Sequence, residues 1–159
     1  MKYAFVIDLN VMRFAATLKN EKGDQDNSSK QLLVSIIKLC NPLFIPRGYE
    51  SVYIKLLSEL KTRNKFIDSE IFNLWRLLWT TQGKLNYPEE QPSTLEEEGE
   101  FDADDTDFVR LVAKIDNGIV FATTDDRLRC KLNELDMIHK YGFNVLRPED
   151  AIEYVGDKD

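Results

Sequence analysis

Acidic residues lie at or near the ends of the strands that the sequence predicts. Asp8 ends the first apolar strand, and Glu50 lies two residues into the helix after the second. Asp125 follows the third strand, and Asp107 belongs to the helix that precedes it. Carboxylates brought together in this way cannot all be ionised without a cation, and hard oxygen ligands suit Mg²⁺ or Mn²⁺. The chemistry that such a site performs best is phosphodiester hydrolysis, in which the metal activates water and neutralises phosphate charge.

Three positions in this acidic set have alternatives, in chain order: Glu59 for Glu50, Asp104 for Asp107, and Asp126 for Asp125. The aspartates at the start of the helix predicted at about 104–116 also have a structural explanation, because such residues cap a helix and complement its macrodipole. We interpret Asp102 and Asp105 in this way, and the same function is open to Asp104.

A helix and a strand position the central acids. Four apolar residues recur at helical spacing: Phe108, Leu111, Val112 and Ile115. They predict an amphipathic helix from about 104 to 116, which Asn117-Gly118 ends. Residues 118–123 form a continuous apolar run, typical of a strand in the middle of a parallel sheet. Ligands of open α/β folds bind outside the carboxyl ends of such strands.

The remaining predicted elements alternate along the chain. Strands are predicted at about 3–7, 43–45 and 144–146, and helices at about 11–18, 28–40, 48–61, 66–79, 128–135 and from 148 onward. This alternation predicts one three-layer α/β/α domain with a central parallel sheet of four or five strands. The helix at 66–79 is apolar on most sides, so we expect it to be deeply buried or part of a subunit interface. Two prolines and six glutamates between 87 and 100 predict a mobile acidic loop at about 84–102.

Composition limits the class of protein. A chain of 159 residues with a hydrophobic fraction of 43% is typical of one globular domain. No apolar run could cross a bilayer, and the first one contains an aspartate, which predicts a strand and not a signal peptide. Cys40 and Cys130 lack metal-ligand spacing, which favours a reducing, cytoplasmic compartment. The net charge of −7 argues mildly against loose nucleic-acid binding. Arg127, Arg129 and Lys131 nevertheless could neutralise RNA phosphates, with a solvated helix face as the alternative.

The order of these features resembles the PIN-domain family, the α/β nuclease module of type II toxin ribonucleases and of enzymes that process ribosomal RNA. The first strand of that family ends in D-T/S-N, and here the residues are Asp8-Leu9-Asn10. A helix-borne aspartate precedes a strand ending in T-x-D by eighteen positions, as Asp107 precedes Asp125. The last turn, strand, proline and acidic helix appear as YGFNVLRPEDA. The resemblance covers the whole chain, with specific matches in the first strand and the Asp107–Asp125 segment.

The resemblance implies a metal-dependent endoribonuclease that leaves 5′-phosphate and 3′-hydroxyl ends. It assigns the catalytic and metal-binding acids as Asp8, Glu50, Asp107 (or Asp104) and Asp125. It implies that Asn10 and Thr123 orient them, that Mg²⁺ or Mn²⁺ is the cofactor, and that RNA is the substrate. A homodimer and an antitoxin or other regulatory protein are further partners it leaves open. Leu9 stands where the family has threonine or serine, so the alternative is a catalytically silent PIN-like module that binds RNA or a protein partner.

Overall fold

Five short parallel strands form the central sheet in the computed structural model of the protein, which describes residues 1–63, 66–81, 84–88, 93–115 and 118–158. The strands are β1 (Ala4–Ile7), β2 (Leu43–Phe44), β3 (Leu85–Asn86), β4 (Ile119–Ala122) and β5 (Phe143–Leu146), and their order across the sheet is β3-β2-β1-β4-β5. Every pairing between them is parallel. The predicted parallel sheet of four or five strands is therefore confirmed.

Helices cover both faces of this sheet. They are α1 (Leu9–Thr17), α2 (Ser28–Lys38), α3 (Glu50–Arg63), α4 (Ser69–Thr80), α5 (Ala103–Lys114), α6 (Asp126–Glu134), α7 (Met137–Tyr141) and α8 (Pro148–Ala151), with 3-10 turns at Glu98–Glu100 and Ile152–Tyr154. Helices α1, α2, α4 and α8 pack together in one group. Helices α5, α6 and α7 form the other, in which α7 packs against both α5 and α6. The molecule is a three-layer α/β/α fold, as the alternation of strands and helices predicted. Within the described residues, no helix has the length and apolar character needed to cross a membrane.

The centre of the sheet is β1 paired with β4, in a register that sets Phe5 beside Val120 and Ile7 beside Ala122. Residues 5–7 and 119–122 are buried, because both faces of these strands lie under helices. From β1 the chain crosses over towards β2 on one side, whereas β4 leads to β5 on the other. The carboxyl ends of β1 and β4 therefore flank the point where the direction of the connections reverses, which is where open α/β sheets bind ligands.

The sequence located most helices to within a few residues. The helix predicted at 104–116 is α5, whose apolar face is buried through Phe108 and Val112. Gly118 immediately precedes β4 and has a φ of 69°, while the other half of the predicted Asn117-Gly118 break lies outside the described residues.

The helix predicted from residue 66 begins three residues later, as α4. Asp68 determines this start, because its side chain accepts a hydrogen bond from the Ile71 amide at 3.0 Å. Trp75 is fully buried inside the chain, whereas Leu77 is 43% exposed. Most of the apolar surface of α4 is thus covered within one copy of the protein.

The acidic segment predicted as a mobile loop contains ordered structure. Leu85 and Asn86 form the edge strand β3, and Glu98 makes an ion pair with Arg110 of α5 at 2.6 Å. Glu97 accepts hydrogen bonds from Lys140 and Tyr141 of α7. Residues 89–92 of the predicted loop lie outside the described residues, and its mobility stays a prediction.

Candidate functional site

The site lies at the carboxyl ends of β1 and β4. Asp8 directly follows β1, and its backbone amide donates to the carbonyl of Ala122, the last residue of β4, at 3.1 Å. This bond extends the strand pairing by one residue and brings the first acid beside the chain leading to Asp125. The sequence-based expectation that Asp8 and Asp125 share one edge of the sheet is confirmed.

Asp8 is held by Thr123. The side chain of Asp8 is only 8% exposed, and the Thr123 hydroxyl, 1% exposed, donates to its Oδ2 at 2.7 Å. The same hydroxyl oxygen accepts from the backbone amide of Asp125 at 3.1 Å. Burial raises the pKa of Asp8, the bond from Thr123 opposes the rise, and the charge of Asp125 adds to it. Thr123 therefore fixes the Asp8 carboxylate and the backbone at Asp125, and the role that the resemblance implied for it, orienting metal-binding acids, stays a prediction.

Asp125 is fixed by the helix that it caps. Its Oδ1 accepts from the amide of Leu128 at 3.1 Å, so the carboxylate is the N-cap of α6. The neighbouring Asp126 is exposed and makes ion pairs with Arg129 at 2.8 Å and with Arg147 at 3.0 Å. Of the two aspartates left open by the sequence, Asp125 is the one that faces Asp8.

The third carboxylate of the group is Asp105, in the first turn of α5. Its pKa is raised to about 6, chiefly by burial and next by the charges of Asp8 and Asp125. From the sequence, Asp105 had been interpreted as a helix cap. The signal that could have identified it is its position three residues before Phe108 and four before Val109, the spacing that places it on the buried face of the helix.

Asp107, the aspartate favoured by the sequence, lies elsewhere on α5. It is exposed, and its Oδ2 accepts a hydrogen bond from the Tyr49 hydroxyl at 2.7 Å. Burial and this bond raise the pKa of Tyr49, whose ring packs edge-on against Phe108 with centroids 5.3 Å apart. Asp104 is also exposed. The structure thus brings Asp105, and not Asp107 or Asp104, to the group formed with Asp8.

Glu50 and Asn10 make contacts outside this group. Glu50, the first residue of α3, hydrogen-bonds Tyr87, and burial together with this bond raises the pKa of Tyr87 to about 12. The two line a groove with Trp79. Asn10 accepts a hydrogen bond from the guanidinium of Arg13 at 3.3 Å. In the described part of the chain, the structure does not show the roles that the resemblance implied for these two side chains.

Basic side chains stand beside the acids. Arg127 and Lys131 line a polar cleft together with Asp105 and Asp125. Arg129, the third basic residue predicted to contact RNA, is instead paired with Asp126. The cleft therefore combines carboxylates with cations, an arrangement suited to a phosphate ester held next to a metal ion.

The three carboxylates fit a divalent cation in donor chemistry and in charge. Oxygen donors suit Mg²⁺ and Mn²⁺, and a cation would relieve the repulsion that raises the pKa of Asp105. They do not form a ready-made coordination sphere: among the described residues, no three acidic, histidine or cysteine side chains are grouped closely enough to hold an ion.

The chain matches no protein-family model, and comparisons with curated proteins and with solved structures give no significant match. The functional argument therefore rests on the chemistry of the site.

Proposed function

We propose that the protein is a metal-dependent endoribonuclease of the PIN-like type, which uses Asp8, Asp105 and Asp125 to hold Mg²⁺ or Mn²⁺. The observation that carries the proposal is the cleft lined by Asp105 and Asp125, the second of which is linked to the buried Asp8 through Thr123. Burial and the charges of Asp8 and Asp125 raise the pKa of Asp105 to about 6. Acidic side chains near the carboxyl edge of a parallel sheet, with a pKa shifted by burial and by like charges, are a common feature of functional sites. The PIN resemblance supports the same chemistry.

Each acid in this proposal has a defined support. Thr123 holds Asp8 by its hydroxyl, the start of α6 holds Asp125, and the buried face of α5 holds Asp105. Arg127 and Lys131 contact the RNA phosphates from the side of the cleft. A divalent cation, when bound, lowers the pKa of water and neutralises charge on the phosphate. Cleavage leaves 5′-phosphate and 3′-hydroxyl ends.

The test is a cleavage assay on labelled single-stranded and hairpin RNA with Mg²⁺, Mn²⁺ or EDTA. The purified protein is expected to cut RNA with either metal and to be inactive in EDTA. Asp8→Asn, Asp105→Asn and Asp125→Asn should each reduce the rate at least about 100-fold, as expected when a metal site loses a ligand. Asp126→Asn, a matched change beside the site, should retain activity. Cleavage in EDTA, or an active Asp8→Asn variant, would refute the proposal.

A catalytically silent PIN-like module that binds RNA or a protein partner is the second candidate. Leu9 favours it, because the hydroxyl that the family has next to Asp8 is absent from this position. The same assay separates the two: a silent module binds RNA with measurable affinity and leaves it intact under every metal condition. For both candidate functions we propose a cytoplasmic location, and a second copy of the chain or an antitoxin or other regulatory protein as partner.

A further inference from the structure

The acidic segment before α5 is bound to the basic residues beside the site. We call residues 95–101 the strap. Lys140 of α7 makes ion pairs with Glu96 at 3.1 Å and with Glu97 at 2.8 Å. Lys131 of α6 donates to the backbone carbonyl of Glu100 at 2.7 Å. The strap therefore occupies the cations on two neighbouring helices.

The strap also forms one wall of the cleft. Glu100 and Phe101 line it together with Arg127 and Lys131, and Asp105 lies in the same cleft. Two further contacts hold the strap in place. Tyr141 donates to both carboxylate oxygens of Glu97, at 3.1 and 3.0 Å, and Arg110 of α5 pairs with Glu98.

Three basic residues of α6 and α7 are thus engaged by acceptors of the chain itself. Lys131 and Lys140 are engaged by the strap, and Arg129 by Asp126. Carboxylates and carbonyl oxygens are the groups within the chain that most resemble phosphate oxygens as acceptors. The ion pair between Lys140 and Glu96 is largely exposed, and exposed ion pairs are weak and screened by salt, whereas the Glu97 side chain is only 12% exposed.

We propose that the strap is an intramolecular competitor of RNA: Glu96, Glu97 and the Glu100 carbonyl hold Lys140 and Lys131 until RNA phosphates displace them. This inference rests on the proposed function and adds a regulation to it. When RNA binds, its phosphates then replace the strap acceptors on Lys131 and Lys140. The affinity for RNA is therefore lower than it would be if the strap did not bind these two lysines. Lys140 forms ion pairs with both Glu96 and Glu97, so a variant that changes both glutamates tests the exchange.

The test compares Glu96→Gln/Glu97→Gln with Glu70→Gln/Glu153→Gln, which changes the net charge equally at exposed positions away from the strap. The probe is a fluorescein-labelled single-stranded RNA in EDTA, so that binding is measured without cleavage. The strap variant should bind several-fold more tightly than the control variant. Because one further cation becomes free to contact phosphate, its affinity should also depend on salt more steeply, by about one in the logarithmic slope.

Hydrogen exchange of the wild-type protein gives an independent measurement. The amides of Glu100 and Phe101 donate within the strap at 2.9 and 3.1 Å, so RNA that displaces the strap should accelerate their exchange. Equal affinities of the two double variants, or unchanged exchange in the RNA complex, would overturn the strap proposal and leave a cleaving wild-type enzyme intact. Absence of both RNA binding and cleavage in every variant would instead overturn the proposed function, and the strap proposal with it.

Discussion

Asp105 connects the electrostatics of the site to the stability of the protein. Its pKa rises from the usual 3.8 to about 6 in the folded protein. Between these values the folded state binds more protons than the unfolded state, so the free energy of unfolding falls as the pH rises through this window. Above about pH 6 the ionised Asp105 carboxylate destabilises the folded state to its full extent. Because the side chain is partly exposed, solvent screening limits this destabilisation to about 1 kcal/mol.

Asp105→Asn should therefore stabilise the protein in EDTA at neutral pH and have little effect at about pH 4. Urea unfolding across this pH range measures the difference, with Asp107→Asn as the matched control on the same helix. Asp107→Asn should keep the fall in stability between about pH 4 and pH 6, because it leaves Asp105 unchanged. If Asp107→Asn flattened the profile and Asp105→Asn did not, the assignment of the third acid would be reversed.

Thr123 is expected to matter through its hydroxyl rather than through its volume. Thr123→Val keeps the buried shape but removes the donor to Asp8 and the acceptor for the Asp125 amide. Leaving such buried groups without partners costs about 1–3 kcal/mol, which urea unfolding at pH 7 would detect. Thr123→Ser keeps the hydroxyl and should lose less. Equal losses for the two variants would mean that packing of the methyl group contributes as much as the hydrogen bonds, and a larger loss for Thr123→Ser would contradict the prediction.

The sequence predicted two of the three acids of the site for a physical reason that holds in the structure. Asp8 and Asp125 follow buried strands, and strand ends are readily located from an apolar run. The choice of Asp107 depended on an eighteen-residue interval, whereas the side chain that faces Asp8 is determined by the rotation of α5 about its axis. The buried residues Phe108 and Val109 fix that rotation, and they bring Asp105 inward.

At the level of the elements, the contact of Glu50 at the start of α3 favours a structural role for this residue over a catalytic one. Glu50 hydrogen-bonds Tyr87 next to the edge strand β3. Tyr87→Phe should therefore destabilise the protein by about 0.5–1.5 kcal/mol, the net value of one hydrogen bond. Glu50→Gln should destabilise it less and retain RNA cleavage. A Glu50→Gln variant that folds normally but has lost cleavage would return Glu50 to the catalytic acids.

Elements with a long apolar pattern were predictable, and the two-residue edge strand was not. The helix at 103–114 and the strand at 119–122 have buried faces that repeat at regular spacing. The edge strand β3 has two residues, Leu85 and Asn86, and is defined by its pairing with Leu43 and Phe44. Such a pairing depends on residues about forty positions apart, so no local pattern indicates it.

At the scale of the whole molecule, the homodimer stays a prediction, and the exposed apolar surface that supports it is smaller than the sequence indicated. Trp75 is buried within one chain, so the surface of this region available to a partner is reduced to Phe66, 58% exposed, and Leu77, 43% exposed. Light scattering at micromolar concentrations should report a dimer for the wild type and a monomer for Leu77→Glu, because burying an unpaired charge is unfavourable. A wild-type monomer would contradict the prediction.

The fold class followed from the order of the elements, but the arrangement of the sheet did not. Alternating strands and helices with right-handed crossovers give a parallel sheet, whichever order the strands take. The position of β1 between β2 and β4 depends on tertiary packing. That position places Asp8 and Asp125 on either side of the point where the connections reverse, which is where open α/β sheets bind ligands.

The dependence of the melting temperature on Mn²⁺ tests the central claim most directly, because it reports metal binding without requiring the right RNA. A cation that binds only the folded state stabilises it by about 2.7 kcal/mol at 100 times its dissociation constant. For a chain of this size that corresponds to a rise of roughly 5–10 °C. The rise should be lost in Asp8→Asn, Asp105→Asn and Asp125→Asn and kept in Asp107→Asn and Asp126→Asn. A wild-type protein that does not respond to Mn²⁺, or an Asp105→Asn variant that responds fully, would contradict it.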